Sequence, residues 1–388
     1  MNGSIRVGNL FGIPFFINPS WFIVFGLVTF FYGSSLSQLF QLGGVLPWIL
    51  GMVTALLMFS SVLVHELGHS FVAMSQGIEV KSITLFIFGG LASLGEESKT
   101  PADAFWVAIA GPLVSFTLFG VFTAIGIFTD LPAPLAAIVS LVAYINLVLG
   151  IFNLIPGLPL DGGNILKSIV WKITGKPYRG IAFASRVGQV FGWLGIALGV
   201  NAIFGITDAF GIHLFGSFWT LLIGGFLLQN AGRSAQSAAI QEKLSGYTAA
   251  DAVYPNSPVV RASLSLREFA NQHVIGNPDN WQTYLVVDDE QRLIGKIQVN
   301  DLKTVSTTDW WNVSVDSLIQ PLGETKTVPA QEPLMDVVVY LEKERLQSLI
   351  VIDENGVVVG LLERDSIGRM FQAQRDASAR QIEAEVQS

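Results

Sequence analysis

The 388-residue chain contains no cysteine. That excludes disulfides and any thiolate metal site, and it leaves the redox compartment without a signature. Charge is scarce as well. Only 13% of residues are Asp, Glu, Lys or Arg and 51% are hydrophobic, against roughly 25% charged in an ordinary soluble domain. The composition is that of an integral membrane protein. Residues 1–230 hold eight Lys/Arg and eight Asp/Glu, while residues 231–388 hold fourteen and twenty-two, so the net charge of −8 belongs to the C-terminal part. An acidic soluble region is therefore expected after a membrane domain, and such a region is a poor binder of nucleic acid. The opening MNGSIRVGNLFGIPFFINPSW lacks a basic head before a short apolar stretch and lacks a small-residue cleavage site. No removable signal peptide is expected.

Apolar runs near 20 residues place membrane spans at about 20–33 (extended to about 38), 47–75, 104–128, 135–155, 184–205 and 215–231. Six spans put both termini on one side. Arg6, Lys81, Lys99, Lys167, Lys172, Lys176 and Arg179 fall before the first span or in the second and fourth connections, with Arg186 at the start of the fifth span next to the fourth connection, whereas 34–46, 129–134 and 206–214 have no Lys or Arg. By the positive-inside rule both termini are cytoplasmic.

The second span contains VLVHELGHSFVAM (62–74), with His65, Glu66 and His69 in its inner half. On a helix, residues i and i+4 share a face, so two imidazoles can share one metal ion while the intervening carboxylate polarises a water. Chance occurrence of two His and a Glu on a helix is the bland reading of so short a pattern. The cost of ionisable groups in a span argues against it. A catalytic zinc takes a third protein ligand and keeps an open position. Asp161 stands out among the remaining carboxylates, in FNLIPGLPLDGG (152–163), where Pro156, Pro159 and Gly162–Gly163 break any continuous helix. Taken alone, that stretch reads equally as a loop ending in a DGG turn.

Together, HELGH (65–69) and NLIPGLPLDGG (153–163) resemble the site-2 protease family of intramembrane zinc metalloproteases, peptidase M50, in the branch with a C-terminal CBS pair. The resemblance extends over essentially the whole chain. It implies His65, His69 and Asp161 as ligands of one Zn2+, Glu66 as general base and acid, and Asn153 as a donor to the developing oxyanion. Each residue type suits its implied role.

VKSITLFIFGGLASLG (80–95) is too short and too β-rich for a span. Ile83, Leu85 and Ile87 alternate with Thr84, Phe86 and Phe88, and Gly89–Gly90 suits a tight turn. This β-hairpin either packs plainly on the spans or offers an edge that pairs with an unwound substrate, in which case Ile87, Phe88, Gly89 and Gly90 touch substrate. AGPLVS (110–115) puts Gly–Pro and Ser115 near the same depth. The resemblance places Ser115 close to the active site, and small residues for helix packing account for it equally well.

The C-terminal region repeats itself: YLVVDDEQRLIGKIQVNDL (284–302) matches SLIVIDENGVVVGLLERDS (348–366), with Gly295 and Gly360 in register. SLREFANQ (265–272) and PLMDVVVYLEK (333–343) read as the corresponding helices. One such pair resembles a tandem CBS module, which implies an adenine nucleotide site. The first repeat keeps Asp301 for a ribose, with Gln298 in place of a hydroxyl; the second carries Glu363 and Ser366 at the two positions. A dimerising module without ligand is the alternative.

The expected architecture is a transmembrane metalloprotease domain (1–231) of about six helices with a membrane-associated hairpin, followed by α/β CBS domains at 244–310 and 311–372 and a tail at 373–388. The expected function is intramembrane cleavage of single-span or membrane-tethered proteins, an anti-sigma factor or similar regulator being one candidate, in a bacterial or archaeal cell membrane. Regulation is expected from the CBS pair, through which the chain could form a homodimer. A zinc-binding but inactive adaptor that captures transmembrane helices is the competing reading.

Overall fold

The computed structural model describes residues 3–87, 89–204, 218–275, 281–322 and 326–372. It divides into two compact units, Met1–Glu242 and Lys243–Ser388.

In the first unit the strands β1 (Ile5–Leu10) and β2 (Ile13–Ile17) precede the helices α1 (Ser20–Phe40) and α2 (Leu46–Ser75). The strands β3 (Val80–Phe86) and β4 (Gly89–Leu94) follow, and then α3 (Pro101–Phe128), α4 (Ala133–Asn153), α5 (Asp161–Thr174), α6 (Pro177–Phe204) and α7 (Phe218–Leu244). Among the described residues, five helices are long and apolar enough to cross a membrane: α1, α2, α3, α4 and α6 over Pro177–Asn201. The sixth expected span begins outside the described residues and overlaps the apolar first half of α7, which continues into the charged segment holding Arg233, Glu242 and Lys243.

The four strands form one sheet in the order β1-β2-β3-β4. β2 runs parallel to β3, and both hairpins are antiparallel. β3 is thus an interior strand, with Ile83 and Leu85 buried, and β4 is an edge. Their register pairs Phe86 with Gly89 and Thr84 with Leu91, so the ladder closes at Phe86 and Gly89. The glycines expected in the turn are the first two residues of β4. Ile87 lies outside the ladder and donates its backbone N–H to Ser20 Oγ at 3.2 Å; Phe88 lies outside the described residues.

The DGG sequence also plays a different part from the one turn chemistry suggests. It opens the amphipathic helix α5, with Asp161 as the first residue. A Cβ on Gly162 would stand 2.3 Å from the Leu154 carbonyl oxygen, and one on Gly163 would stand 2.3 Å from the backbone of residues 157 and 158. The two glycines are there because the PGLP segment folds back onto the first turn of α5.

The second unit contains two three-stranded sheets of identical topology. β5 (Val259–Arg261) is parallel to β6 (Thr283–Val287), which is antiparallel to β7 (Leu293–Gln298). β8 (Thr327–Pro329), β9 (Ser348–Ile352) and β10 (Val358–Glu363) repeat that arrangement. The short helix α8 (Leu266–Phe269), started by a Ser265–Glu268 capping box, belongs to the first half and α9 (Leu334–Lys343) to the second. Each half buries its own apolar core, around Phe269, Tyr284 and Ile297 in one and Leu334, Leu341 and Leu349 in the other.

Candidate metal centre

Three side chains from two helices converge on one point. His65 and His69 lie one turn apart on α2, and Asp161 heads α5. Asp161 Oδ2 is 3.1 Å from His65 Nε2 and 3.3 Å from His69 Nε2, and the two imidazole nitrogens are 3.3 Å apart. Side-chain exposures of 4, 12 and 17% for His65, His69 and Asp161 leave the cluster largely screened from bulk water.

The far side of each ring fixes its chemistry. His69 Nδ1 lies 2.7 Å from the Val107 carbonyl oxygen of α3, which can only accept, so this nitrogen carries the proton and Nε2 presents a lone pair. His65 Nδ1 lies 2.9 Å from Ser115 Oγ, which is fully buried. Lone pairs facing a carboxylate repel one another unless a cation sits between them. The three edges match a tetrahedral site, for which ligand bonds of about 2.0–2.1 Å give ligand separations of about 3.3 Å. The donor set therefore fits a zinc ion with one position left for water or substrate.

Helix α3 makes room for that ion. A Cβ on Gly111 would lie 2.2 Å from His69 Nε2 and 2.6 Å from His65 Nε2. Pro112 inside the helix lacks an N–H, so the Ala108 carbonyl loses its helical donor at this level.

A cavity of about 600 Å³ opens onto the cluster, and His65, Glu66, His69, Asn153 and Asp161 line it. Asn153 ends α4. The opposite wall is β4, through Gly90, Leu91, Ala92 and Leu94. Adjacent pairs of an antiparallel ladder alternate in hydrogen bonding, and Leu85 turns its carbonyl away from β4, so the backbone groups of Gly90 and Ala92 point away from β3. One contact fixes that parity: the Leu85 carbonyl accepts from Asn18 N–H on the β2 side. Gly90 packs on the Glu66 side chain, where a Cβ would stand 2.4 Å from Glu66 Cγ.

Of the expected substrate contacts, Gly90 lines the cavity, whereas Ile87 and Gly89 do not appear in its wall and Ser115 backs His65 instead. Sequence reasoning missed Leu91, Ala92, Asn164 and Lys167, which also line the cavity. Asn164 and Lys167 became readable only once α5 was a helix, since they follow Asp161 by three and six residues.

The Asp301 carboxylate, expected to hold a ribose, is already engaged. Its Oδ2 accepts from the Gln298 backbone N–H at 2.9 Å, and both oxygens accept from Gln320 Nε2 at 3.0 Å. In the second half, Ser366 is buried and its hydroxyl donates to the Ala252 carbonyl at 2.6 Å.

A buried His–His–carboxylate centre, held by the span-length helix α2 and the head of α5, has the donor set of a membrane metallohydrolase. The model of Peptidase family M50 matches residues 53–135 and 131–195, and that of the CBS domain matches residues 320–369. The chain is 55% identical over 372 residues to sll0528 of Synechocystis sp., named as a zinc metalloprotease, with 96% of each chain covered. It is 30% identical over 381 residues to Rip3 of Mycobacterium tuberculosis, likewise named, covering 97% of this chain and 94% of that one. A solved structure, the site-2 protease from Methanocaldococcus jannaschii, is 29% identical and aligns over 60% of this chain and 95% of that one with a TM-score of 0.43. The chain belongs to peptidase family M50, the site-2 protease family of zinc metalloproteases. It is an integral membrane hydrolase with a CBS pair at its C-terminal end.

Proposed function

We propose that the chain cleaves single-span or membrane-tethered proteins within or beside the bilayer, with His65, His69 and Asp161 holding zinc. When bound, zinc acidifies a water and polarises a peptide carbonyl. Glu66 takes the proton from the attacking water and returns it to the leaving amine. Asn153, lining the cavity at the end of α4, donates its amide to the carbonyl oxygen as negative charge develops there. The edge of β4 holds the substrate in extended form. Its outward N–H and C=O groups at Gly90 and Ala92 pair with a locally unwound segment whose carbonyls a helix would keep hydrogen-bonded. Gly90 packs on the Glu66 side chain, which puts that edge within reach of the base.

With Arg6 before the first span, Lys81 and Lys99 in the second connection, Lys167, Lys172 and Lys176 in the fourth, and Arg179 and Arg186 in the first half of α6, both termini face the cytoplasm. The CBS pair would then report a cytoplasmic signal to the protease. Binding of a nucleotide ribose at Asp301 requires the Gln320 amide to withdraw, which makes the first cleft a weak site.

The observation that carries the reading is the 3.1–3.3 Å convergence of His65 Nε2, His69 Nε2 and Asp161 Oδ2 beside Glu66. The test measures zinc per chain alongside cleavage of a co-expressed membrane-tethered substrate. Glu66→Gln should keep zinc and lose about 10²–10⁴-fold in rate, whereas His65→Ala, His69→Ala and Asp161→Asn should lose zinc as well. Stoichiometric zinc in the double His→Ala variant would refute the ligand assignment.

A further inference from the structure

The cavity wall holds a second charged pair besides the metal centre. Lys167 of α5 and Glu97, in the segment after β4, both line it, and Lys167 Nζ stands 2.9 Å from Glu97 Oε2, which ties that segment to α5. Among the described residues of the cavity wall, Lys167 is the one lysine or arginine. The partners are unequal: 17% of the Lys167 side chain is exposed against 77% of Glu97. Lys167 is built into the wall, and Glu97 reaches it from the solvent side. The backbone under Lys167 has no slack, because a Cβ on Gly180 of α6 would stand 2.4 Å from the Lys167 carbonyl oxygen. Glu97 belongs to an irregular stretch between β4 and α3.

A strand added to the edge of β4 occupies about 4.8 Å beside it. It takes up the gap between β4 and α5, where the ion pair ties the segment after β4 to α5, so docking parts the pair. Glu97 then turns into water at little cost. Lys167 remains in the wall, where an ammonium without a counter-charge is unfavourable and a carboxylate on the incoming chain relieves it.

We propose that Lys167 is a specificity-determining residue that selects an acidic side chain in the cleaved segment, with Glu97 holding that place in the unliganded protein. The inference rests on the peptidase and strand-addition reading above and adds a position to it. Lys167 follows Asp161 by six residues, about 9 Å along a helix rising 1.5 Å per residue. Extended chain rises about 3.3 Å per residue, so the acidic side chain falls about three residues from the scissile bond.

The test uses full-length protein in liposomes and tethered substrates that carry Glu, Gln or Lys three residues to either side of the cleavage point. Cleavage is followed with the wild-type protein, and capture with Glu66→Gln protein, which is expected to bind without cutting. On one side, Glu should be preferred over Lys by roughly tenfold. The preference should vanish in Lys167→Gln and invert in the swap Glu97→Lys/Lys167→Glu. Zinc content shows whether each variant is folded, and Lys167→Gln carries the test if the swap is not. Equal handling of the three substrates by the wild type, or an unchanged order in a folded Lys167 variant, overturns the proposal. Charge-ordered capture with no Glu66-dependent cleavage would refute the peptidase reading and leave the Lys167 assignment standing.

Discussion

Gly111 of α3 faces His69 of α2 so closely that a methyl group on it would stand 2.2 Å from His69 Nε2. Both residues sit on packed helices, so neither can retreat without moving a whole element. Gly111→Ala should therefore evict the metal while every ligand is still present. Zinc per chain should fall well below one, with helical content retained by circular dichroism. Full zinc occupancy in Gly111→Ala would mean that α3 gives way more easily than its packing suggests.

Strand β4 offers a test that separates docking from folding. Ala92 turns its N–H away from β3, and Leu91 turns its N–H toward β3. Proline is tolerated on an edge strand where the lost N–H faces outward. Ala92→Pro should thus preserve the hairpin and zinc yet lower cleavage about tenfold or more, because one ladder bond to substrate and its neighbour's geometry are lost. Leu91→Pro should disrupt the hairpin itself. Wild-type cleavage by Ala92→Pro would dismiss strand addition.

Gln320 and Asp301 form a closed fork in the first CBS half. Gln320→Ala should open the ribose position and tighten binding of AMP or ATP relative to the wild type, and adding Asp301→Ala should abolish the gain. Calorimetry on the full-length protein reads both. Tight binding of two nucleotides by the wild type would contradict the plugged-site view.

His273 packs against Phe269 and Tyr284, and burial pushes its pKa below the ordinary 6.5. The unfolded chain takes up that proton more readily than the folded one. The resulting stability is complete above about pH 6.5 and is lost as pH falls through 6.5 toward the lower folded value. Thermal melts of the full-length chain from pH 7.5 to 5.5 should show a falling midpoint, and His273→Gln should flatten this part of the slope. A slope identical in the variant would assign the pH dependence to other groups.

The parts of the protein that follow a strong periodicity were readable from sequence. Long apolar runs became α1 to α4 and α6, and the i, i+4 spacing of His65 and His69 fixed their common face whatever packs around them. The repeat at 284–302 and 348–366 became two sheets of the same topology because its apolar strands and glycines are in register. Features set by close approach were not readable. Gly162 and Gly163 look like turn residues until the PGLP segment is seen lying against them. Alternation across 83–88 cannot reveal that β3 already ends at Phe86 and that Gly89 and Gly90 belong to β4. The Ser115–His65, Lys167–Glu97 and Gln320–Asp301 contacts join residues separated by 50, 70 and 19 positions, and a single sequence carries no signal for such pairings.

The unpaired edge of β4 also bears on how such an enzyme could discriminate. Backbone hydrogen bonds are the same for every residue type, so a strand ladder holds any extended segment with nearly equal strength. Part of the choice among membrane helices then arises before docking, in the work of unwinding each one. Helices weakened by glycine, proline or polar residues reach the extended state more often. Recognition would accordingly read the fragility of a segment first, and its side chains only afterwards.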